Sequence, residues 1–305
     1  MKRTFFGAVL AVLVGAMAAV AAGPHYSDWT AAHKLDQING NHSDVNTPFL
    51  DGCPIESPDG LSLYMASNRP GGLGGLDIWV ARRDNKAAPW RAPVNLGEPV
   101  NSAADDFCPT PVRGRGLFFV SREALPGSCG MGDIYFTRFS PAQGWREPRH
   151  LACAPEGPNS ALDEQGPSYV QGRLYFSRSS ATVAGDLYAS RKHGNLRFGP
   201  ATPVAELNDS AANDIQPNVR KDGREVVFSS SRSGGRGSQD IWVATRHNGG
   251  DSWSQPENLG PNVNTSDSES RPSLSWDAET LYFGRAPAAG GPGDVYVTTR
   301  ENGSG

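Results

Sequence analysis

Charged side chains recur at fixed positions along the 305-residue chain. An acid stands three residues before a proline five times, at Asp51, Asp106, Glu164, Asp214 and Glu269. An arginine closes an apolar run five times, at Arg69, Arg122, Arg178, Arg232 and Arg285. A third set of acids precedes an aliphatic and an aromatic residue, at Asp77, Asp133, Asp186, Asp240 and Asp294. Carboxylates and guanidinium groups in matching numbers can bind a charged ligand, or they can pair with one another and hold the fold.

The spacing of these residues indicates that the chain is built from five repeats. Successive aspartate triplets are 53 to 56 residues apart. A second landmark, an aromatic residue followed six positions later by an aliphatic one, occurs at Trp29/Leu35, Trp90/Leu96, Trp145/Leu151, Phe198/Val204 and Trp253/Leu259. A third landmark lies five residues before each acid, at Asn46, Asn101, Asn159 and Asn264, with Asp209 in place of asparagine in the remaining copy. Three independent landmarks in five copies predict a repeat architecture.

Each repeat is predicted to form four short β-strands. In the first copy we place strand one after the proline at residues 54–57, strand two at residues 63–66 and strand three on the triplet that Asp77 opens. Strand four then runs from Trp90 to Leu96. Glycine, proline, asparagine and aspartate separate these runs, as turns require. Four antiparallel strands in each repeat predict an all-β fold, a five-bladed β-propeller.

The two ends of the chain predict how the ring closes. The last repeat stops after its third strand, near Arg300, and the first fourth-strand landmark, Trp29/Leu35, precedes every first strand. We therefore expect the N-terminal strand to complete the last blade, which removes the open sheet edge that an incomplete ring would expose. Residues 23–305 are then a single propeller domain.

The first repeat carries a family resemblance. Ser-Pro-Asp-Gly at 57–60, the run at 63–69 and Asp-Ile-Trp-Val at 77–80 resemble the WD40-like β-propeller repeat of TolB-type proteins. The resemblance extends over the mature chain, and it implies the same five-copy propeller. It concerns the repeats alone, because the α/β domain that precedes the propeller in TolB has no counterpart in this sequence.

The strand order predicts that the three sets of charged residues share one face. In an antiparallel four-stranded blade, the link into strand one and the turn between strands two and three lie at the same end. The acids and arginines named above are therefore candidate binding residues of one charged face, while the opposite face is predicted to hold turns only. Doubled acids at 105–106, 163–164 and 267–269 could supply oxygen ligands to Ca²⁺. None has the ligand spacing of a calcium loop, so we expect no metal and no cofactor.

The four cysteines, Cys53, Cys108, Cys129 and Cys153, all lie in the first two repeats. An even number in an exported chain predicts two disulfides, for which three pairings are possible. Cys53 and Cys108 hold the same repeat position on neighbouring inner strands, and Cys129 and Cys153 lie on one face of the second blade. We therefore expect Cys53–Cys108 and Cys129–Cys153. A thiol catalyst or a four-cysteine zinc site is the alternative, although no C-x-x-C spacing occurs.

The first 22 residues are predicted to be a signal peptide. Lys2 and Arg3 precede an apolar run from residue 5 to residue 20, and small residues at 20–22 form a cleavage site. We expect a periplasmic or secreted monomer. No later run is long enough to span a membrane. With 28 Lys and Arg against 32 Asp and Glu, the chain lacks the basic excess that nucleic-acid binding needs.

Two functions are consistent with the sequence. The first is a non-catalytic propeller that binds a protein, peptide or glycan through the charged face, because no serine-nucleophile, phosphate-loop or zinc-protease motif occurs. The alternative is a glycosidase- or lyase-like enzyme that uses two carboxylates at the channel mouth, with Asp106, Glu164 and Asp214 as candidates. We expect binding rather than catalysis.

Overall fold

The computed structural model describes residues 26–36 and 44–303. The predicted signal peptide lies outside the described residues. The remaining chain forms five antiparallel sheets arranged as blades. The first strands of neighbouring blades contact one another in a ring around a central channel. The structure therefore confirms the five-bladed propeller.

The strands fall into four layers from the channel outward. The innermost strands are β2 (Asp51–Glu56), β6 (Asp106–Val112), β11 (Asp163–Val170), β15 (Asp214–Val219) and β19 (Ser268–Leu274). The second strands are β3 (Ser62–Ser67), β7 (Gly116–Ser121), β12 (Arg173–Ser179), β16 (Glu225–Ser230) and β20 (Thr280–Ala286). The third strands are β4 (Asp77–Arg82), β8 (Asp133–Ser140), β13 (Asp186–Lys192), β17 (Asp240–Thr245) and β21 (Asp294–Thr299).

The outermost strands are shorter than the sequence predicts. They are β1 (His33–Lys34), β5 (Val94–Asn95), β9 (Gly144–Trp145), β10 (Arg149–His150), β14 (Phe198–Pro203) and β18 (Glu257–Asn258). Most pair over two residues only, because the aromatic residue predicted to begin the strand packs into the core before the paired residues start. Trp90 and Trp253, for example, are less than one-tenth exposed.

The innermost strands begin earlier than the sequence predicts. The sequence predicts that each begins after its proline, but the strand starts at or next to the acid and continues through the proline with a bulge. The residue before each proline has a positive φ of 47–58°, at Cys53, Cys108, Gly166, Gln216 and Arg271. A left-handed residue at a bulge bends the strand and lets it accommodate a proline, which cannot donate to the ladder.

The N-terminal segment closes the ring as predicted. Strand β1 pairs antiparallel with β21, with His33 opposite Val297. Trp29 is buried under the guanidinium of Arg300, 4.4 Å from the ring centre. Arg300 in turn binds Glu225 of the neighbouring blade at 2.8 Å. Both ends of the propeller are thus held in one sheet.

The core lies between the blades. The residue of strand two that pairs with the triplet aromatic is less than 2 % exposed in every blade: Met65, Phe119, Phe176, Phe228 and Phe283. Burying a side chain of this size contributes roughly 1.5–3 kcal/mol. This repeated packing fixes the blade geometry and therefore the position of the charged residues.

Candidate functional site

The propeller has two faces that differ in chemistry. We call the end at which the innermost strands begin the upper face, and it holds the acids and arginines predicted from the repeat. We call the opposite end the lower face, and it holds the turns between strands one and two, at residues 57–61, 113–115, 171–172, 220–224 and 275–279.

Four of the five predicted acids on the upper face are buried in ion pairs with the arginine of their own blade. Their side chains are 0 % exposed. The nitrogen-to-oxygen distances are 2.6 Å for Arg69–Asp51, 2.9 Å for Arg178–Glu164, 2.6 Å for Arg232–Asp214 and 2.7 Å for Arg285–Glu269. Each arginine also donates to a backbone carbonyl of the link that precedes the acid. The residues predicted as a binding ring therefore tie each link to its own blade.

The second blade departs from this pattern. Arg122 contacts Asp105 at 3.0 Å and Asp163 of the third blade at 2.8 Å instead of Asp106. Strand two ends its pairing with strand three at Ser121, one residue before Arg122. In the third and fifth blades the arginine is itself the last paired residue of strand two, and in the first and fourth blades it follows the last paired residue by two positions. Because side chains alternate along an extended chain, the odd spacing sends Arg122 to the opposite side.

Burial controls the protonation of two of these acids. It raises the pKa of Asp106 to about 6, and it raises the pKa of Glu164 to about 7 despite the guanidinium of Arg178. Hydrogen bonds from Ser102 and Ser160 oppose these shifts. Both carboxyl groups are 0–1 % exposed, so neither is open to a ligand in this conformation.

Four of the five triplet aspartates bond to neighbouring loops or strands, whereas the Asp186 side chain forms no hydrogen bond or ion pair within the described residues. Asp77 and Asp240 each accept two backbone N–H bonds from their own loop and one bond from an asparagine side chain. Asp133 contacts His150 at 2.9 Å, and Asp294 contacts Lys34 at 2.9 Å. These contacts match the turn-holding alternative that the repeat suggested.

The structure corrects one landmark. In the fourth copy the sequence suggested Asp209 in place of the repeat asparagine, but Asn208 takes that role. Its side chain accepts from the backbone N–H of Leu187 at 2.7 Å and donates to the Leu187 carbonyl, as Asn101 does with Ile78. One inserted residue before Asp214 shifts the motif, so the fixed spacing missed it.

The cysteines pair as predicted. Cys53 is bonded to Cys108, with Cα atoms 5.0 Å apart, and Cys129 to Cys153, with Cα atoms 5.8 Å apart. His150 lies beside the second pair, its Nε2 3.7 Å from the sulfur of Cys129. These three residues have the composition of a metal-ligand cluster. Because the two sulfurs are bonded to each other, neither is a thiolate ligand, and the Nε2 of His150 already contacts Asp133 at 2.9 Å.

The channel narrows at the prolines of the innermost strands. Its waist is lined by the five left-handed residues and the prolines that follow them, and it encloses about 30 Å³. That volume holds about one water molecule. The waist therefore separates the upper mouth of the channel from the lower one.

Below the waist the channel opens into a cavity of about 210 Å³. Its lining includes Trp276 and Tyr169, and the side chains of Arg113 and Lys221 lie over the Trp276 ring at 4.9 Å and 5.6 Å. A second cavity of about 300 Å³ lies between blades one and two and shares residues 111–113 with the first. The sequence predicted only turns on this face. The sequence feature that could have indicated these cavities is the variation among the lower turns. Arg113, Lys221 and Trp276 lie in these turns, whereas the corresponding turn of the first blade holds no cation and no aromatic residue.

The lower cavities carry unpaired positive charge. Within residues 26–36 and 44–303, the side chains of Arg82, Arg113, Arg115 and Lys221 form no hydrogen bond or ion pair, and all four line these cavities. The two acids that line them have partners: Glu56 is bonded to Arg83, and Asp59 accepts from Ser57 at 2.6 Å. This arrangement can attract an anionic ligand and offer it an aromatic surface.

Comparison with known proteins supports the fold. No protein-family model and no curated protein matches the sequence. A thermostable family-43 glycoside hydrolase superposes with a TM-score of 0.56 at 13% identity, covering 83% of this chain and 89% of that one. The GH62 α-L-arabinofuranosidase catalytic domain of Coprinopsis cinerea gives 0.53 at 11% identity, covering 90% and 97%. A protein assigned as TolB from Agrobacterium tumefaciens gives 0.50 at 16% identity, covering 87% and 79%.

At these identities the similarity shows a shared propeller fold and nothing of function. TolB structures are among the neighbours, as the resemblance of the repeats predicted, while membership of the WD40-like family stays a prediction. Among the described residues, no helix has the length and apolar character needed to cross a membrane.

Proposed function

We propose that this protein binds an anionic saccharide in the cavity below the channel waist. The observation that carries the proposal is a cavity lined by two half-buried aromatic residues, Trp276 and Tyr169, together with two cations, Arg113 and Lys221, that lack a carboxylate partner among the described residues. Cations lie over both rings, so a sugar ring packs its C–H groups against the part of the Trp276 and Tyr169 surface that these cations leave open. A guanidinium group binds a uronate carboxylate through two parallel hydrogen bonds.

The upper face supports this choice by contrast. Its predicted binding acids, apart from Asp106, are bonded to arginines and lie out of reach of a ligand. The signal peptide predicted at residues 1–22 and the two disulfides support a periplasmic or secreted location, where disulfides persist. Several neighbours in fold are named as arabinofuranosidases or as an arabinanase, which supports a saccharide as the ligand in this proposal.

The test is calorimetric titration of residues 23–305 with an oligogalacturonate and with a neutral arabino-oligosaccharide of equal length. We expect binding of the uronate, and its loss in Trp276→Ala and in Arg113→Gln/Lys221→Gln. Arg138→Gln is the matched control, because Arg138 is an exposed arginine of the second blade outside the cavity. Equal affinity for both oligosaccharides, or a uronate affinity that survives the double variant, would refute the proposal.

A second candidate is hydrolysis of a glycoside at the upper mouth. It is favoured by the raised pKa values of Asp106 and Glu164, because a general acid must hold its proton near neutral pH. Burial of both groups argues against it, because a substrate reaches them only if the upper loops open. The assay is release of nitrophenol from an aryl α-L-arabinofuranoside. Turnover that disappears in Glu164→Gln while the variant stays folded would favour the enzyme.

A further inference from the structure

Five residues at the channel waist share one backbone conformation and differ in chemistry. They are the left-handed residues before the prolines, Cys53, Cys108, Gly166, Gln216 and Arg271. Two of them form a disulfide, and one carries a formal charge. The fold needs a left-handed residue at this position in every blade, but it does not need a guanidinium group there. Arg271 is therefore a departure from the repeat that the propeller itself does not explain.

Arg271 extends to the upper side of the waist. Its Nη1 lies 2.8 Å from the point where a Cβ on residue 52 would stand, so Gly52 leaves the space that the guanidinium occupies. The equivalent residue in the other four blades is larger than glycine: Phe107, Gln165, Ile215 and Ser270. The first blade and the last blade thus fit together around this one cation.

The guanidinium of Arg271 has no partner among the described residues. Across the part of the chain that the structure describes, its side chain forms no hydrogen bond and no ion pair, and only its backbone N–H is bonded, to Ser229. Burial lowers the pKa of Arg271, and the nearby charge of Arg122 lowers it further. An arginine stays protonated in proteins, so the charge persists without compensation at the centre of the ring. A partly buried charge in this state destabilises the fold unless an anion neutralises it.

We propose that Arg271 anchors an oxyanion site at the upper mouth, which takes the carboxylate of a ligand that enters from the upper face. The fork of N–H donors on the guanidinium fits both oxygens of a carboxylate. The five repeat arginines of the upper face already have acids, whereas Arg271 lies at the channel axis with no acid bonded to it among the described residues. The site is independent of the lower cavity, because the waist between them encloses only about 30 Å³.

The experiment is thermal unfolding of residues 23–305 at low salt with added acetate, using chloride at the same ionic strength as the reference. We expect acetate to raise the melting temperature of the wild type more than chloride does. Arg271→Gln should melt above the wild type without acetate, because it removes an uncompensated charge, and it should lose the acetate-specific shift. Arg271→Lys, which keeps the charge and loses the fork, should respond weakly.

The control is Arg113→Gln, which alters the lower cavity and should keep the part of the acetate response that Arg271→Gln removes. The two tests are therefore independent. If the lower cavity fails to bind uronate, the acetate shift that depends on Arg271 is unaffected. An acetate shift of wild-type size in Arg271→Gln would overturn the inference. So would a lower melting temperature for that variant, because it would mean that Arg271 holds the fold through contacts of its own.

Discussion

The upper and lower faces of the propeller hold charge in opposite ways. On the upper face, acids that recur in every repeat are buried and most are bonded to arginines of the same blade. On the lower face, cations that occur in single repeats line open cavities, and no acid in the described part of the chain pairs with them. The comparison teaches that in a repeat protein a recurring charge belongs to the fold, and that a charge confined to one copy is the better guide to a ligand.

The physical reason is the cost of desolvation. A carboxylate can be buried only when hydrogen bonds and an opposite charge replace its water. A sequence that buries an acid in every blade must therefore supply a partner in every blade, and that partner recurs at the same period. A ligand site has no such constraint, because water solvates its charges until the ligand arrives.

The largest expected effect is on the upper face. Arg232→Ala leaves Asp214 buried without its cation and should lower the free energy of unfolding by about 3–5 kcal/mol. Arg113→Ala on the lower face removes an exposed side chain and should change it by less than about 0.5 kcal/mol. Urea unfolding of both variants measures the difference. Equal effects would mean that the two faces do not differ as we describe.

The second effect concerns the disulfide that holds the upper loops of the second blade. Cys129→Ser/Cys153→Ser opens a loop with a sequence separation of 24 residues and should lower the free energy of unfolding by roughly 3 kcal/mol. The cause is the larger conformational entropy of the unfolded chain. Peptide mapping without reductant should recover Cys129–Cys153 and Cys53–Cys108 from the wild type, and any other pairing would contradict the upper-face arrangement.

The third expected effect is a pH dependence that arises from Glu164 on the upper face. The pKa of Glu164 is raised from 4.5 to about 7, so the folded protein binds more protons than the unfolded chain between those values. The free energy of unfolding should therefore fall as pH rises through this window, because the group must ionise in a buried site. Glu164→Gln cannot ionise and should lose this part of the slope. Parallel curves for the two proteins across pH 5–8 would show that Glu164 is ionised throughout.

Much of the upper face was predictable from the repeat because local spacing specifies it. The five acids, their arginines and the cysteine pairing follow from residues at equivalent positions, which the blade architecture brings together. Two details did not follow. Arg122 changes partner because its distance from the last strand pair is odd, and Asn208 replaces Asp209 because one residue is inserted in the link. A shift of one residue changes the side of the strand or link on which a side chain lies, while the spacing between repeats stays nearly the same.

The sequence by itself determined the blade count, the closure of the ring by the N-terminal strand and both disulfides. The blade count and the placement of the cysteines follow from the pattern that recurs along the chain. The closure follows because the last repeat lacks a fourth strand. Only the tertiary structure decided where space remains. The waist, the cavities around Trp276 and the position of Arg271, which has no partner within residues 26–36 and 44–303, arise where side chains from several blades converge on one axis. Residues about 50 or more positions apart meet there, and the volume between them depends on every neighbour at once. No spacing within a single repeat encodes that volume.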